Sequence, residues 1–526
     1  HADAGTIYLM DDDGKELVPS AWQNVNLDRL LTEPPPVAVE DGESGHPLRD
    51  ACREKSMLIG QLSAVGMPAG LGWLAARFPG QSVSFLAVPL SNRENRTIGV
   101  LFLAKSAVET AFSSEQAAFV NALSGTLAVA IDNQRLMRAQ KALLDAVIRV
   151  VAGAIDAKSP YTGGHCQRVP ELTLMLAEAA CRSDSRPFHD FKMDEDEWET
   201  LSIAAWLHDC GKLTTPEYVV DKATKLETLF DRIHEIRMRF EVLKRDAEIA
   251  CLRGVAEGGE RAALEAAMHA ELAALDDDFA FVAACNIGGE ALPDGAEERL
   301  HRIAARTWQR TLDDRIGISQ IEKRRKERLP EPVLPVVEPL IADREDHRID
   351  HQTAGPLPAD IKVTAPTYRL DLGELHCLSV NRGTLTAEER FLINNHIVQT
   401  IIMLRGLPFP EYLKDVPDIA GNHHEHLDGT GYPRGLEAAA MIPQARMMAI
   451  ADIFEALTAS DRPYKLGKPL SEAVTLLAGY VRMGHLDRDL FELFLREGVH
   501  LRFAQRFLDA HQIDEVDIEA ALRRAG

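Results

Sequence analysis

What this sequence lacks narrows it first. It has no CxxC pair: its seven cysteines, Cys52, Cys166, Cys181, Cys210, Cys251, Cys285 and Cys377, are odd in number and scattered without regular spacing. That argues against a disulfide framework and a cysteine-type zinc site, and for a reducing cytosol. No apolar run approaches the ~18 residues that a spanning helix needs, and no signal peptide opens the chain, so no membrane is expected in this segment and a cytoplasmic location follows. Positive charge is scarce too: 58 Lys plus Arg face 81 Asp plus Glu, a formal charge of −23. Such an excess repels phosphate backbones, and extended binding to duplex nucleic acid is not expected. An initial Met is also missing from the opening HADAGTIYLM, which suggests a truncated N-terminal portion carrying any further sensor or anchor.

What is present suits a multidomain protein. With 526 residues, 46 % of them hydrophobic, the chain should fill the cores of roughly two to four domains. Residues 1 to about 115 read as α/β: the runs GTIYLM, SFLAVPL and IGVLFLA are short and rich in β-branched and aromatic residues, with turn formers such as DDDG and SNREN beside them. A helical pattern then starts at SSEQ in the manner of a capping box, and a connecting helix is expected over 113–158. Along it, Leu123, Leu127, Ala130, Gln134, Met137, Lys141, Leu144, Ile148, Val151 and Ile155 alternate in steps of four and three, and eight of these ten are apolar. Such a seam suits a parallel homodimer, and it equally suits a face packed on its own domain. From about 145 onward the pattern is all-helical. Between 226 and 370 charge and Ala dominate, followed by the Pro-rich LPEPVLPVVEP and the polar ADREDHRIDHQ, which reads as an inserted helical arm.

Chemistry concentrates in a few short stretches. Residues 207–212 read LHDCGK and residues 422–433 read NHHEHLDGTGYP. A His-Asp pair can converge on a metal, with neutral imidazole nitrogens and a carboxylate able to bridge two cations. One pair alone is as well explained by a hydrogen-bonded helix histidine. Here His208 and Asp209 are joined by His165 upstream, by His423 and His424 downstream, and by Asp452 in the apolar helix RMMAIADIFEAL, where a carboxylate is costly to bury unless paired or coordinated. A donor set of imidazoles and carboxylates without thiolate suits iron, manganese or zinc over copper.

On these residues, 145–526 resembles the HD-GYP phosphodiesterases, a branch of the HD metal-dependent phosphohydrolases. His208-Asp209 with Gly211 and Lys212 match the HD-x-GK motif, and HHEHLDGTGYP matches HHE-xx-DG-x-GYP with His426 at a variable position. The stretches DAGTIYLMDDDGKEL, SFLAVPLSNRENRTIGVLFLAKS and AIDNQRL likewise resemble a GAF sensor domain over 1–137, although no Asn-Lys-Phe-Asp-Glu motif of the cyclic-nucleotide-binding kind is present. The resemblance implies a further ligand histidine, and two candidates remain. His396 ends NRGTLTAEERFLINNH, which has the family's form, but follows His208 by 188 residues (396 − 208); His234 follows it by 26 (234 − 208) after DKATKLE. His396 fits the flanking pattern better, since an insertion costs little if its ends stay close. The implied ligands are then His165, His208, Asp209, His396, His423, His424 and Asp452, with Asp209 bridging two divalent ions, iron or manganese. Relatives with three metals use a Glu where Tyr161 stands, so two are expected, and Glu455 replaces the family's usual Asp. Asp209 and Lys212 are the implied catalytic residues, with Lys212, Gly431, Tyr432, Arg462 and Lys465 as substrate contacts. The implied reaction is attack of an activated water on phosphorus, opening cyclic di-GMP to pGpG and on to GMP under GAF control in a bacterial cell. Another cyclic dinucleotide such as cyclic GMP-AMP, or a silent cyclic di-GMP receptor, stands as the alternative, and a diguanylate cyclase is a candidate signalling partner.

Overall fold

The computed structural model describes residues 2–24, 33–39, 45–63, 65–107, 111–158, 164–289, 291–351, 357–460 and 467–526. They divide into two units, His1–Ala146 and Val147–Gly526. The first holds strands β1 (Ala4–Met10), β2 (Glu16–Asn24) and β3 (Val37–Ala38), helix α1 (Pro47–Glu54), β4 (Leu58–Leu62), α2 (Trp73–Arg77), β5 (Val83–Ser91) and β6 (Thr97–Ser106). The six strands form one antiparallel sheet in the order β3-β2-β1-β6-β5-β4. Burial alternates along β1, so Thr6 and Tyr8 face the core with Phe102 of β6, against which Trp73 of α2 packs edge-on. This is the α/β architecture that the opening runs imply.

Helix α3 (Ser114–Lys158) crosses from the first unit into the second without a break. It starts as SSEQ predicts: Ser113 Oγ accepts from Gln116 N at 3.2 Å while Gln116 Oε1 accepts from Ser113 N at 3.1 Å. The expected seam divides. Leu123 and Met137 are exposed, whereas Ile148 and Ile155 are buried.

The second unit is helical around its centre, with α4 (His165–Arg182), α5 (Glu195–Leu207) and α6 (Glu217–Val220) before the arm. The arm carries α7 (Ile233–Ala256), α8 (Arg261–Asn286), α9 (Ala296–Ala304), β7 (Thr307–Arg310), α10 (Gln320–Lys326), β8 (Val336–Pro339), β9 (Arg348–Ile349) and β10 (Leu370–Asp371). After α11 (Glu374–Leu378) follow α12 (Ala387–Arg405), α13 (Val416–Gly421), α14 (Pro443–Thr458), α15 (Leu470–Arg482), α16 (Arg488–Arg496), α17 (Val499–Phe507) and α18 (Ile518–Ala525). The arm is not wholly helical, since β7 pairs with β8 and β9 with β10. Its Ile236, Phe240, Leu275, Val282 and Leu300 share one apolar core with Cys377 and Leu378 of α11. Among the described residues, no helix is long and apolar enough to cross a membrane.

Candidate metal centre

Five elements deliver the candidate ligands. His165 is the first residue of α4, and His208 and Asp209 close α5 and lead into a 3-10 turn, Cys210–Thr214, that carries Lys212. His396 sits in α12, His423 and His424 directly follow α13, and Asp452 lies in α14. The structure brings all seven together. One nitrogen or oxygen from each of His396, His423 and His424 lies within 4.8 Å of the others, and the same holds for His165, His208 and Asp452 and for His208, Asp209 and His423. Asp209 faces both sides, with Oδ2 at 3.1 Å from His165 Nε2 and Oδ1 at 3.2 Å from His396 Nε2. His234 is elsewhere, exposed on α7 with Nδ1 against Arg237.

Hydrogen bonds to the backbone fix the imidazoles. Nδ1 of His208, His396 and His423 donates to the carbonyl three residues earlier, Ala205 at 2.7 Å, Ile393 at 2.5 Å and Ala420 at 2.7 Å. A neutral ring that donates through Nδ1 keeps its lone pair on Nε2. The Nε2 atoms of His396 and His423 are buried and have no hydrogen-bond partner among the described residues. In that neutral tautomer His396 would turn a lone pair toward a carboxylate oxygen 3.2 Å away. Two acceptors face to face in a buried site are relieved by a cation, so the donor set fits a metal.

The electrostatics agree. Burial drives the His423 pKa down to about 4, helped by the nearby His208. Burial likewise holds His424 well below the usual histidine value, reinforced by His423 and His396. Both rings are thus neutral at pH 7 and able to bind a metal. Burial opposes ionisation of Asp209, yet Lys212 and His208 outweigh it and keep the carboxyl far below its ordinary value. His165 is the exception: burial alone would lower it, but Glu455 and Asp209 push it up to about 10.

Glu455 is the residue whose part the sequence did not reveal. Its Oε2 lies 2.5 Å from His165 Nδ1, and its Oε1 accepts from Arg168 Nε at 2.7 Å. This carboxylate orients the His165 imidazole from behind; the signal available was its spacing of three from Asp452 on one helix face. Glu425 has a comparable part in the loop that follows. It is buried and accepts from the backbone N of Arg434 at 2.6 Å and of Leu436 at 2.9 Å, folding the DG-x-GYP segment back on itself. Gly431 allows that fold, since a Cβ there would lie 2.2 Å from His426 N. Tyr432 stacks on His424 with ring centroids 5.0 Å apart. His426 stays outside the centre and stacks on His485 at 3.8 Å. Lys212, a quarter exposed, places Nζ 2.5 Å from Asp209 Oδ2. Arg462, Lys465 and Tyr161 lie outside the described residues.

Residues 335–490 match the family model described as HD domain, and residues 1–132 match that described as GAF domain. The HD match contains His396, His423, His424 and Asp452, while His165, His208 and Asp209 precede it. A stretch of 129 residues is 38 % identical to a 3'3'-cGAMP-specific phosphodiesterase of Vibrio cholerae, covering 24 % of this chain and 29 % of that protein. Another of 114 residues is 39 % identical to a cyclic di-GMP phosphodiesterase of Pseudomonas aeruginosa, covering 22 % and 26 %. A third of 117 residues is 36 % identical to a cyclic di-GMP phosphodiesterase of Thermotoga maritima, covering 22 % and 31 %. The chain thus spans less than a third of the length of these relatives. Among solved structures, a GAF domain/HD domain protein from Geobacter sulfurreducens aligns at 18 % identity over 26 % of this chain and 83 % of that one, with a TM-score of 0.21.

Proposed function

From a chain that carries a GAF domain ahead of an HD domain, we propose a metal-dependent phosphodiesterase of the HD-GYP type that opens cyclic di-GMP to pGpG, and on to GMP, under control of its GAF domain. The observation that carries this reading is the pair of buried, unpartnered Nε2 atoms of His396 and His423 beside the Asp209 carboxylate. The seven residues would hold two divalent ions, iron or manganese, one near each trio of donors, with Asp209 shared. When bound, such ions supply Lewis acidity toward a phosphate oxygen and toward water.

The chain's own side chains do the rest. Asp209 is kept ionised and so stays a ligand across the neutral range. Glu455 holds the His165 ring in place. Lys212 keeps an ammonium at the rim, where an entering phosphate can draw it from Asp209 and use it to offset charge building on phosphorus. Tyr432, stacked on His424, presents an aromatic wall on which a nucleobase can lie. Hydrolysis of one phosphodiester by water opens the ring and leaves a terminal phosphate and a hydroxyl.

Cyclic GMP-AMP is the second substrate reading, favoured by the 38 % identity to a cGAMP-specific enzyme. A silent receptor would have no use for a complete ligand set. In the enzyme reading, α3 pairs two copies, and a diguanylate cyclase is the natural signalling partner.

The test is metal content together with products from both dinucleotides. The full chain loaded with Fe2+ or Mn2+ should hold two ions and yield pGpG, and Asp209→Ala should do neither. A wild-type chain that holds its ions and binds cyclic di-GMP without turning over either dinucleotide would make it a receptor.

A further inference from the structure

We propose that the last turn of α3 is a positioning brace for the metal centre, in which Asp156 and Lys158 hold the two chain segments that deliver His165 and the His208–Lys212 turn. Lys158 Nζ lies 2.8 Å from the carbonyl oxygen of Lys212, 2.8 Å from that of Leu213 and 2.5 Å from that of Thr215. These carbonyls close the 3-10 turn Cys210–Thr214 that follows Asp209. The Lys212 carbonyl also accepts from Thr215 N at 3.1 Å, and one ammonium with three protons can meet all three oxygens.

Two residues earlier on the same helix, Asp156 accepts from Gly164 N through Oδ2 at 3.2 Å and from Cys166 N through Oδ1 at 3.4 Å. These are free amides at the start of α4, whose first residue is His165 and whose N-cap, Gly164, has no side chain to cap them. Residues two apart on a helix point about 200° away from each other. Asp156 and Lys158 therefore reach opposite ways, and the helix end stands as a spacer between the segment bearing His165 and the turn bearing Asp209 and Lys212.

Neither residue is among the donors around Asp209, so both act through others. α3 runs unbroken from Ser114 to Lys158, so an axial shift or twist of this helix is delivered to these five hydrogen bonds. Misplacement of a catalytic group by about 1 Å can change a rate by about a hundredfold. A movement of about 1 Å delivered here would change the rate on that scale. The kinetic consequence rests on the phosphodiesterase reading, but the brace itself does not.

The experiment uses the metal-loaded full chain with Lys158→Met, Lys158→Arg and Asp156→Ala, read by amide hydrogen exchange, metal content and kinetics on cyclic di-GMP. Lys158→Met should speed exchange over residues 209–215 and leave 164–168 unchanged, and Asp156→Ala should do the reverse. With both ions retained, Lys158→Met should lower kcat about tenfold or more while KM stays within about twofold, and Lys158→Arg should restore most of the rate. Unchanged exchange in both segments overturns the brace, as does loss of the ions in Lys158→Met and Lys158→Arg alike. If the wild type hydrolyses no dinucleotide, the phosphodiesterase reading fails while the exchange pattern still decides the brace.

Discussion

Gly211 has no functional group, yet it decides whether His396 can reach Asp209. A Cβ at Gly211 would lie 1.9 Å from the carbonyl oxygen of His396 and 2.6 Å from the amide of Thr400. Thr400 Oγ1 fastens this close approach, accepting from Gly211 N at 2.9 Å and donating to the His208 carbonyl at 3.2 Å. Backbone cannot step aside as a flexible side chain can. Gly211→Ala should therefore cost at least the about 1–3 kcal/mol of ordinary overpacking and displace α12. The expected outcome is a lower melting temperature together with fewer than two ions bound, measured by elemental analysis. Full metal content in Gly211→Ala would show that the approach of α12 is not what places His396. The sequence marked Gly211 as part of a motif but could not say why, because its neighbour in space is 185 residues away (396 − 211). The candidate cluster was more legible, since histidines and an aspartate in apolar surroundings carry a burial cost that demands a partner. The backbone carbonyls that orient three of those rings have no signature in sequence, and Glu455 looked like a mere exchange for Asp.

The segment between α6 and α12 shows at the element scale how a long stretch of chain between His208 and His396 still lets the two meet. Its two ends are stitched together: Lys225 Nζ donates to the Leu378 carbonyl at 3.0 Å and Arg232 Nη1 to that of Leu372 at 2.5 Å. A closed base makes the length between almost free, because closure entropy grows only with the logarithm of loop length. Next to this base, Lys222 and Glu389 form an ion pair at 2.7 Å with both side chains 1 % exposed. Glu389 also caps α12 through Thr386 N at 3.0 Å. Glu389→Gln keeps the capping oxygen and strands the Lys222 ammonium, which should cost about 3–5 kcal/mol. Adding Lys222→Met should restore much of that loss, read by chemical denaturation of the single and double variants. A double-variant loss equal to the sum of the Glu389→Gln and Lys222→Met losses would mean that the pair is uncoupled. The long helices α7 and α8 were legible from their charge and Ala content. The β7–β8 and β9–β10 ladders were not, for strands of two to four residues are too short to display an alternating pattern.

At the scale of the whole molecule, α3 decides whether one chain works alone. The periodicity allowed either a dimer seam or a face packed at home, and each half of the helix takes a different course. In the later half the expected positions Ile148 and Ile155 are 5 % and 3 % exposed and already used. The apolar line left over runs one residue behind the expected one: Leu136, Leu143 and Val150, spaced by seven, are 61 %, 66 % and 71 % exposed, with Val147 between the last two. A heptad-spaced line of Leu and Val on a long helix is what a two-stranded coiled coil buries, and it is costly to leave in water when a second copy can cover it. Leu143→Glu with Val150→Glu should put like charges across such a seam without disturbing any buried position of the single chain. Light scattering should give twice the chain mass for the wild type and the single mass for the double variant, with melting temperature and metal content unchanged. A double variant that still has the dimer mass would place the interface elsewhere, with Leu123 and Met137 in the first half as the next line to charge.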